Sequence, residues 1–174
     1  MLTNAGFCIN VEKSVTEPTQ ELKHLGFVLN SNNMTVSLSD DKADSMVNLS
    51  RTVLSKDTIS IRSAAQLIGT FVSSLPGVKF GQLYYRRFEN DKTKALKVSK
   101  GHFEAKMSLS DGAKEEITWW IHHANDCPKN VIQSQPNIIL QTDASQSGWG
   151  ATLLSGKSTG GRWHISETSL HINA

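Results

Sequence analysis

Hydrophobic and polar residues alternate along the first forty residues, as they do in half-buried β-strands. GFCINV, at residues 6 to 11, has this alternation, and HLGFVLN followed by MTVSL is typical of two strands joined by a polar turn at residues 30 to 33. The pattern therefore predicts that the chain begins with a β-rich segment.

Two later segments repeat apolar residues at the three- and four-residue spacing of an amphipathic helix. The first, DDKADSMVNLSRTVLS, follows Ser39, which suits an N-cap position, and it has two Asp residues in its first turn, where the helix dipole favours them. The second begins near Ser60 and ends before the Pro-Gly pair at residues 76 and 77. The residues predicted to face the core are Ala43, Met46, Val47, Val53 or Leu54, Ala64, Ala65, Ile68, Phe71, Val72 and Leu75.

Two more helical patterns follow. FGQLYYRRFENDKTKALK has a basic side and an apolar side, and the apolar side consists of Leu83, Tyr84, Phe88 and Leu96. SKGHFEAKMSLS has no periodicity and is predicted to be a loop with at most a short strand. Ser110 is then expected to cap DGAKEEITWWIHHAND, with Ile117, Trp120 and Ile121 facing inward.

The character of the chain changes between residues 130 and 136. CPKNVIQSQP is polar and is predicted to be a linker. NIILQT, WGATLL and GRWHIS follow as three β-type runs separated by Gly and Ser turns, which is typical of an antiparallel meander. Helices in the first part and a meander in the second predict an α+β fold.

Composition narrows the class of protein only a little. The 174 residues are 38% hydrophobic, enough for a packed core, and the formal net charge of +2 is too small to indicate a polyanionic partner by itself. Cys8 and Cys127 lie far apart and form no zinc or disulfide pattern. No signal peptide or membrane-spanning apolar run is visible, so we expect an intracellular protein, cytoplasmic or nuclear, without membrane contact.

Asp143 is the strongest candidate for a catalytic or metal-binding residue. It follows an apolar run in QTDASQSGWGATLL, and the glycines at 148 and 150 allow a tight turn that returns the next strand beside it. This arrangement would present a carboxylate on the central strand of a sheet, where it could be one ligand of a metal site. Two-metal phosphodiester chemistry needs several converging carboxylates, so Asp143 could instead be the polar start of a β-turn.

Two other groups of residues could form a functional site. Glu167 lies between His164 and His171, but this spacing matches no zinc pattern, and solvated loop residues are the simpler interpretation. Arg86, Arg87 and Lys97, among several further Lys and Tyr residues, could bind phosphates and stack on bases, or they could form a solvated helix face.

Several stretches together resemble one family. GFCINVEKS with LKHLGFVLNS resembles the end of a reverse-transcriptase palm, and IRSAAQLIGTFVSSLPGVKFGQLYYRRFENDK with LSDGAKEEITWW is similar to the connecting region. ILQTDASQSGWGATL with GGRW and HIN resembles the beginning of a ribonuclease H domain. The chain is most similar to retroelement polymerases of the DIRS-type tyrosine-recombinase retrotransposons.

The resemblance implies three regions and a set of site residues. Residues 1–38 would be the palm end, 39–130 a helical thumb or connection, and 136–174 the first part of a ribonuclease H domain. Lys13 matches the palm lysine near the incoming nucleotide, and Leu25, Gly26 and Phe27 match the hairpin that grips the primer. Asp143 matches the first catalytic, metal-binding Asp, and the segment from His171 to Asn173 matches the approach to the helix that carries the next carboxylate.

The implied parent enzyme is an RNA-directed DNA polymerase with Mg²⁺-dependent ribonuclease H activity, acting on RNA–DNA hybrid or duplex. The motifs that hold most of its carboxylates have no counterpart in this sequence, so the chain is expected to be inactive alone, not to bind Mg²⁺ stably, and to work with the rest of the polymerase. The alternative function is a non-catalytic nucleic-acid-binding or assembly module that uses the basic connection helix. A third hypothesis is that residues 137 to 174 do not fold stably by themselves.

Overall fold

The computed structural model describes residues 5–10, 14–132 and 135–168. The chain divides into two compact units, Met1–Ile132 and Gln133–Ala174. The division falls within the interval of residues 130 to 136 in which the sequence changes character. The described residues contain both helices and antiparallel sheets, so the prediction of an α+β fold is confirmed.

The first unit contains a four-stranded antiparallel sheet in the order β1-β2-β3-β6. Its strands are β1 (Glu21–His24), β2 (Phe27–Asn30), β3 (Thr35–Leu38) and β6 (Lys129–Asn130). The prediction of a single strand over HLGFVLN is wrong, because residues 25 and 26 form a two-residue turn between β1 and β2. Residues 7–10, predicted as a strand from their alternation, have no regular secondary structure.

β6 corrects a second prediction. The segment CPKNVIQSQP was expected to be a linker, but Thr35 pairs with Asn130 and Val36 with Lys129. The polar composition of this segment concealed a short strand whose residues are exposed and whose pairing is through the backbone.

The four predicted helices of the first unit are present, but the third begins later than predicted, and Leu83, expected on its apolar side, lies before it and is 61% exposed. The helices are α1 (Asp40–Leu54), α2 (Ile61–Ser74), α3 (Arg86–Val98) and α4 (Asp111–His123), with a short 3₁₀ helix at Gly81–Leu83. Ser110 is confirmed as a cap, since its side chain accepts a hydrogen bond from the N–H group of Ala113 at 3.2 Å, and Ser60 accepts one from Ser63 at 3.1 Å in the same way. Ser39 occupies the N-cap position of α1, as predicted, but its side chain makes no capping hydrogen bond. The predicted short strand is β5 (Lys106–Met107), which pairs with β4 (Ile59–Ser60).

The four helices surround one apolar core. Trp120 of α4 stacks on Phe71 of α2 with ring centroids 4.7 Å apart, and both side chains are completely buried. Val72, which was predicted to face inward, is 44% exposed, whereas Leu67, which was not predicted, is buried. The other buried apolar residues include Ala43, Met46, Val53, Ile61, Ala64, Ile68, Phe88, Ala113 and Ile117.

The second unit contains a three-stranded antiparallel meander, as its pattern predicts. The strands are β7 (Leu140–Ala144), β8 (Gly148–Leu153) and β9 (Ser158–Arg162). The third strand lies earlier than GRWHIS, since residues 163 to 166 follow it without being part of a strand. Among the described residues, no helix is long and apolar enough to cross a membrane.

Candidate functional site

Asp143 lies on β7, opposite Gly150 of β8, which in turn lies opposite Gly160 of β9. Residues paired directly across an antiparallel sheet share one face, so two glycines continue the row that Asp143 begins. A Cβ atom placed on Gly150 would meet no heavy atom within 4 Å. The sheet surface beside the Asp143 carboxylate is therefore open.

The two faces of the meander differ in chemistry. The strand register and the two-residue period place polar residues and glycines on the Asp143 face, while the opposite face is mainly apolar. The Asp143 face carries Gln141, Asp143, Thr152, Ser158 and Arg162, and the other face carries Leu140, Ala144, Trp149, Ala151 and Leu153.

The turn between β7 and β8 is hydrogen-bonded to the residue that follows β9. The indole Nε1 of Trp163 donates a hydrogen bond to the Ser145 carbonyl oxygen at 2.7 Å, and Ser145 N–H donates to the Gly148 carbonyl oxygen at 2.8 Å. Asp143, Ser145, Arg162 and Trp163 help to line an open concavity of about 620 Å³. One carboxylate and one guanidinium thus border the same solvent-accessible space.

The carboxylate of Asp143 has a local contact. Its Oδ1 accepts a hydrogen bond from the N–H group of Ala144 at 2.9 Å, an interaction of the kind expected if Asp143 mainly starts a turn. The expected position on a central strand is wrong within the described residues, where β8 is central and β7 is an edge strand. Asp143 is nevertheless exposed on the polar face.

The described residues do not fit a metal centre. They contain no group of three or more His, Cys, Asp or Glu side chains that could hold a metal ion. Glu167 instead accepts a hydrogen bond from the backbone N–H of His164 at 2.7 Å, and the His164 ring contacts Ser166, so both residues belong to a local turn. His171, like the segment that continues to Asn173, lies outside the described residues.

The two arginines of α3 are exposed, but both have acidic neighbours. Arg86 lies 3.2 Å from the carboxylate of Glu89, and Arg87 lies 3.2 Å from that of Glu115. The side chains of the two arginines are still 71% and 67% exposed. Lys97, in the last turn of the same helix, is exposed as well.

The hairpin that carries Leu25, Gly26 and Phe27 lies against α1. The Lys42 ammonium group lies 4.1 Å from the centroid of the Phe27 ring and donates a hydrogen bond to the Ser73 carbonyl oxygen at 3.0 Å. Burial lowers the pKa of Lys42 from its usual value. Phe27 packs against the core, whereas Leu25 is 80% exposed at the hairpin tip. Lys13 lies outside the described residues.

Sequence reasoning missed Glu116, which is only 5% exposed on α4. Its two carboxylate oxygens accept hydrogen bonds from the backbone N–H groups of Arg87 and Phe88 at 3.1 and 3.0 Å. The sequence indicated the burial of Glu116 only through its position beside Ile117 and Trp120 on the inward face of α4.

No protein-family model and no curated protein sequence matches the chain. Among the solved structures that are similar to it are three of foamy viral protease-reverse transcriptase. The dRH form in complex with ds DNA has a TM-score of 0.42 and 13% identity over 86% of this chain and 25% of its own. The complex with RNA/DNA hybrid has a TM-score of 0.43 and 12% identity, over 86% of this chain and 19% of its own.

The third structure is the same viral protein in complex with dsDNA, with a TM-score of 0.42 and 12% identity over 88% of this chain and 30% of its own. The chain thus spans less than a third of each of these proteins. TM-scores in this range do not define a shared fold, so any assignment to reverse transcriptases has to be argued from the residues themselves.

Proposed function

We propose that the chain is part of a retroelement reverse transcriptase and that it contacts RNA–DNA hybrid or duplex nucleic acid. In this proposal residues 1–38 are the palm end, 39–130 the thumb or connection, and 136–174 the beginning of a ribonuclease H domain. The ordered series of sequence motifs supports the assignment, and DIRS-type retroelements are the group they resemble.

The observation that carries the proposal is the setting of Asp143. The Asp143 carboxylate is exposed on a sheet face where two glycines lie beside it and Arg162 is the other charged residue of the strands, and this leaves room for a phosphodiester backbone. In the proposed role Asp143 would be one ligand of a catalytic Mg²⁺, whose chemistry is to stabilise charge on the phosphate oxygens.

The described residues alone do not supply the other ligands of such a site. We therefore propose that this chain binds nucleic acid without cleaving it, and that the remaining ligands come from the rest of a polymerase. Binding would use the exposed cations Arg86, Arg87 and Lys97, with Lys13 and the hairpin of Leu25, Gly26 and Phe27 nearer to the primer.

Binding is tested by fluorescence anisotropy of a labelled RNA–DNA hybrid with the full chain at about 50 and about 200 mM salt. We expect a Kd that weakens with salt, because each phosphate contact releases counterions and contributes roughly 0.9 to the slope of log K against log salt. The variant Arg86→Ala/Arg87→Ala/Lys97→Ala should bind more weakly and with a lower slope. Binding that does not depend on salt would reject the proposal.

The matched control is Arg51→Ala/Lys56→Ala/Arg62→Ala, which removes the same charge from exposed positions outside α3. An equal loss of affinity in both triple variants would show that only the total charge matters. Cleavage is tested with the same hybrid and Mg²⁺. We expect no product, and cleavage that disappears in Asp143→Asn would show that the chain completes a metal site.

A further inference from the structure

Phe80 is an exposed aromatic residue in a backbone conformation that phenylalanine rarely adopts. Its φ of +68° and ψ of −3° lie in the left-handed region, immediately before the 3₁₀ helix, and the residue is 53% exposed. For a residue with a Cβ atom this region costs free energy, and Gly or Asn are the usual occupants. The exposed ring contributes little to the core to offset that cost.

The residue that follows Phe80 is in close contact with the core. A Cβ atom on Gly81 would lie 2.6 Å from the ring of buried Trp120, so packing requires glycine at position 81. The Leu83 N–H group then donates to the Phe80 carbonyl oxygen at 2.9 Å and starts the 3₁₀ helix. Neither contact requires an aromatic side chain at position 80.

Two lysines accompany the ring. The Lys79 ammonium group lies 4.9 Å from the centroid of the Phe80 ring, and both residues line a small concavity of about 160 Å³ together with Gln82 and Lys129. Leu75 and Val78 form its apolar wall. The concavity is smaller than the pockets that enclose drug-sized ligands, so it has room for a small group only.

An exposed aromatic ring beside cations is the combination that binds unpaired nucleotides, because any base can stack on the ring while its phosphates meet the cations. We propose that Phe80, Lys79 and Lys129 form a contact site for an unpaired nucleotide of a nucleic-acid strand, with the base stacked on Phe80. This inference rests on the proposed function, since it names the part of a nucleic acid that one surface of the first unit would recognise.

The experiment compares three labelled probes with the full chain: a blunt RNA–DNA hybrid, the same hybrid with a single-stranded RNA extension, and the same hybrid with a single-stranded DNA extension. Phe80→Asn removes the ring but suits the left-handed backbone. We expect it to weaken binding of the extended probes about tenfold and to leave the blunt probe unchanged. Phe80→Trp keeps a stacking surface and should bind the extended probes at least as well as the wild type.

Phe103→Asn is the matched control, because Phe103 is another exposed aromatic residue of the same unit and is 41% exposed. It should leave binding of all probes unchanged. Lys79→Ala/Lys129→Ala should lower the salt slope by roughly 0.7 for each lysine on the extended probes.

Thermal unfolding shows whether the Phe80→Asn variant is still folded. Phe80→Asn should unfold at the same temperature as the wild type or higher, since the substitution relieves backbone strain. If Phe80→Asn is folded and binds the extended probes as tightly as the wild type, the inference is wrong while the proposed function stands. Equal losses on blunt and extended probes would also refute it. If the wild type binds none of the probes, both the inference and the proposed function fail.

Discussion

The carboxylate of Glu116 in α4 accepts a hydrogen bond from the backbone N–H of Phe88 in the first turn of α3 at 3.0 Å. Its other oxygen accepts from the N–H of Arg87 at 3.1 Å. The first N–H groups of a helix have no partner within the helix, and the dipole there favours a negative charge. A side chain from α4 therefore caps α3 and also holds the two helices together.

Replacing this carboxylate should destabilise the first unit. Glu116→Gln keeps the shape but turns one acceptor into a donor that faces a backbone N–H, and we expect a loss of about 2 kcal/mol in the free energy of unfolding. Urea denaturation followed by circular dichroism measures it. Glu115→Gln is the control, because the Glu115 side chain is 74% exposed and its ion pair with Arg87 should contribute less than about 1 kcal/mol. Equal losses in the two variants would contradict the capping role.

The hairpin tip predicts a substitution that stabilises the protein. Leu25 and Gly26 have φ values of +49° and +79°, the signature of a two-residue turn for which Asn-Gly is the preferred sequence. Since Leu25 is 80% exposed, Leu25→Asn should relieve strain with little loss of burial and raise the stability by about 0.5–1 kcal/mol. Chemical denaturation tests this. Leu29→Asn, within β2, should lower the stability, and an unfavourable effect at both positions would refute the turn assignment.

The ion pair between Lys23 of β1 and Asp41 of α1 predicts a pH dependence. The hydrogen bond and the charge of Lys23 lower the pKa of Asp41 below 3.8, and the same contact with Asp41 raises the pKa of Lys23 above 10.5. Asp41 binds its proton less readily in the folded chain than in the unfolded chain. Its contribution is therefore present above pH 3.8 and disappears as the pH falls through the lowered pKa.

Asp41→Asn should accordingly be slightly less stable than the wild type at pH 7 and low salt, with a difference that shrinks towards pH 3. Both side chains are well exposed, so salt should reduce the difference. Asp40→Asn is a suitable control because it removes a charge from the same first helical turn. Urea denaturation at several pH values gives the comparison, and a difference that grows on acidification would have the wrong sign.

The helices were predictable because their periodicity is long and their boundaries carry recognisable residues. Ser60 and Ser110 mark two starts, and the spacing of Ala43, Met46 and Val53 identifies the buried side of α1. Short strands gave a weaker signal. β6 has two polar residues and is defined only by its pairing with β3, while residues 7–10 alternate correctly without forming a strand.

The surroundings of the candidate site were predictable only where neighbours in sequence determine them. The glycines around Trp149 correctly indicated that β8 returns beside Asp143. The contact between Glu116 and the first turn of α3 joins residues nearly thirty positions apart, and no local pattern indicates it. The left-handed backbone of Phe80 and the close packing of Gly81 on Trp120 likewise have no local sequence signal.

Two glycines of β8 allow a final prediction about the Asp143 face. A Cβ atom on Gly148 would lie 2.4 Å from the Gly161 carbonyl oxygen, so Gly148→Ala should force β9 away from β8 at a cost of about 1–3 kcal/mol. Amide hydrogen exchange should then become faster in both strands. Gly150 has open space around it, so Gly150→Ala should leave the exchange unchanged.

If the space beside Gly150 receives a phosphodiester backbone next to Asp143, Gly150→Ala should nevertheless weaken hybrid binding, because the added methyl group would occupy the same face of the sheet. Unchanged binding in a normally exchanging Gly150→Ala variant would exclude close approach of the nucleic acid at this point of the sheet.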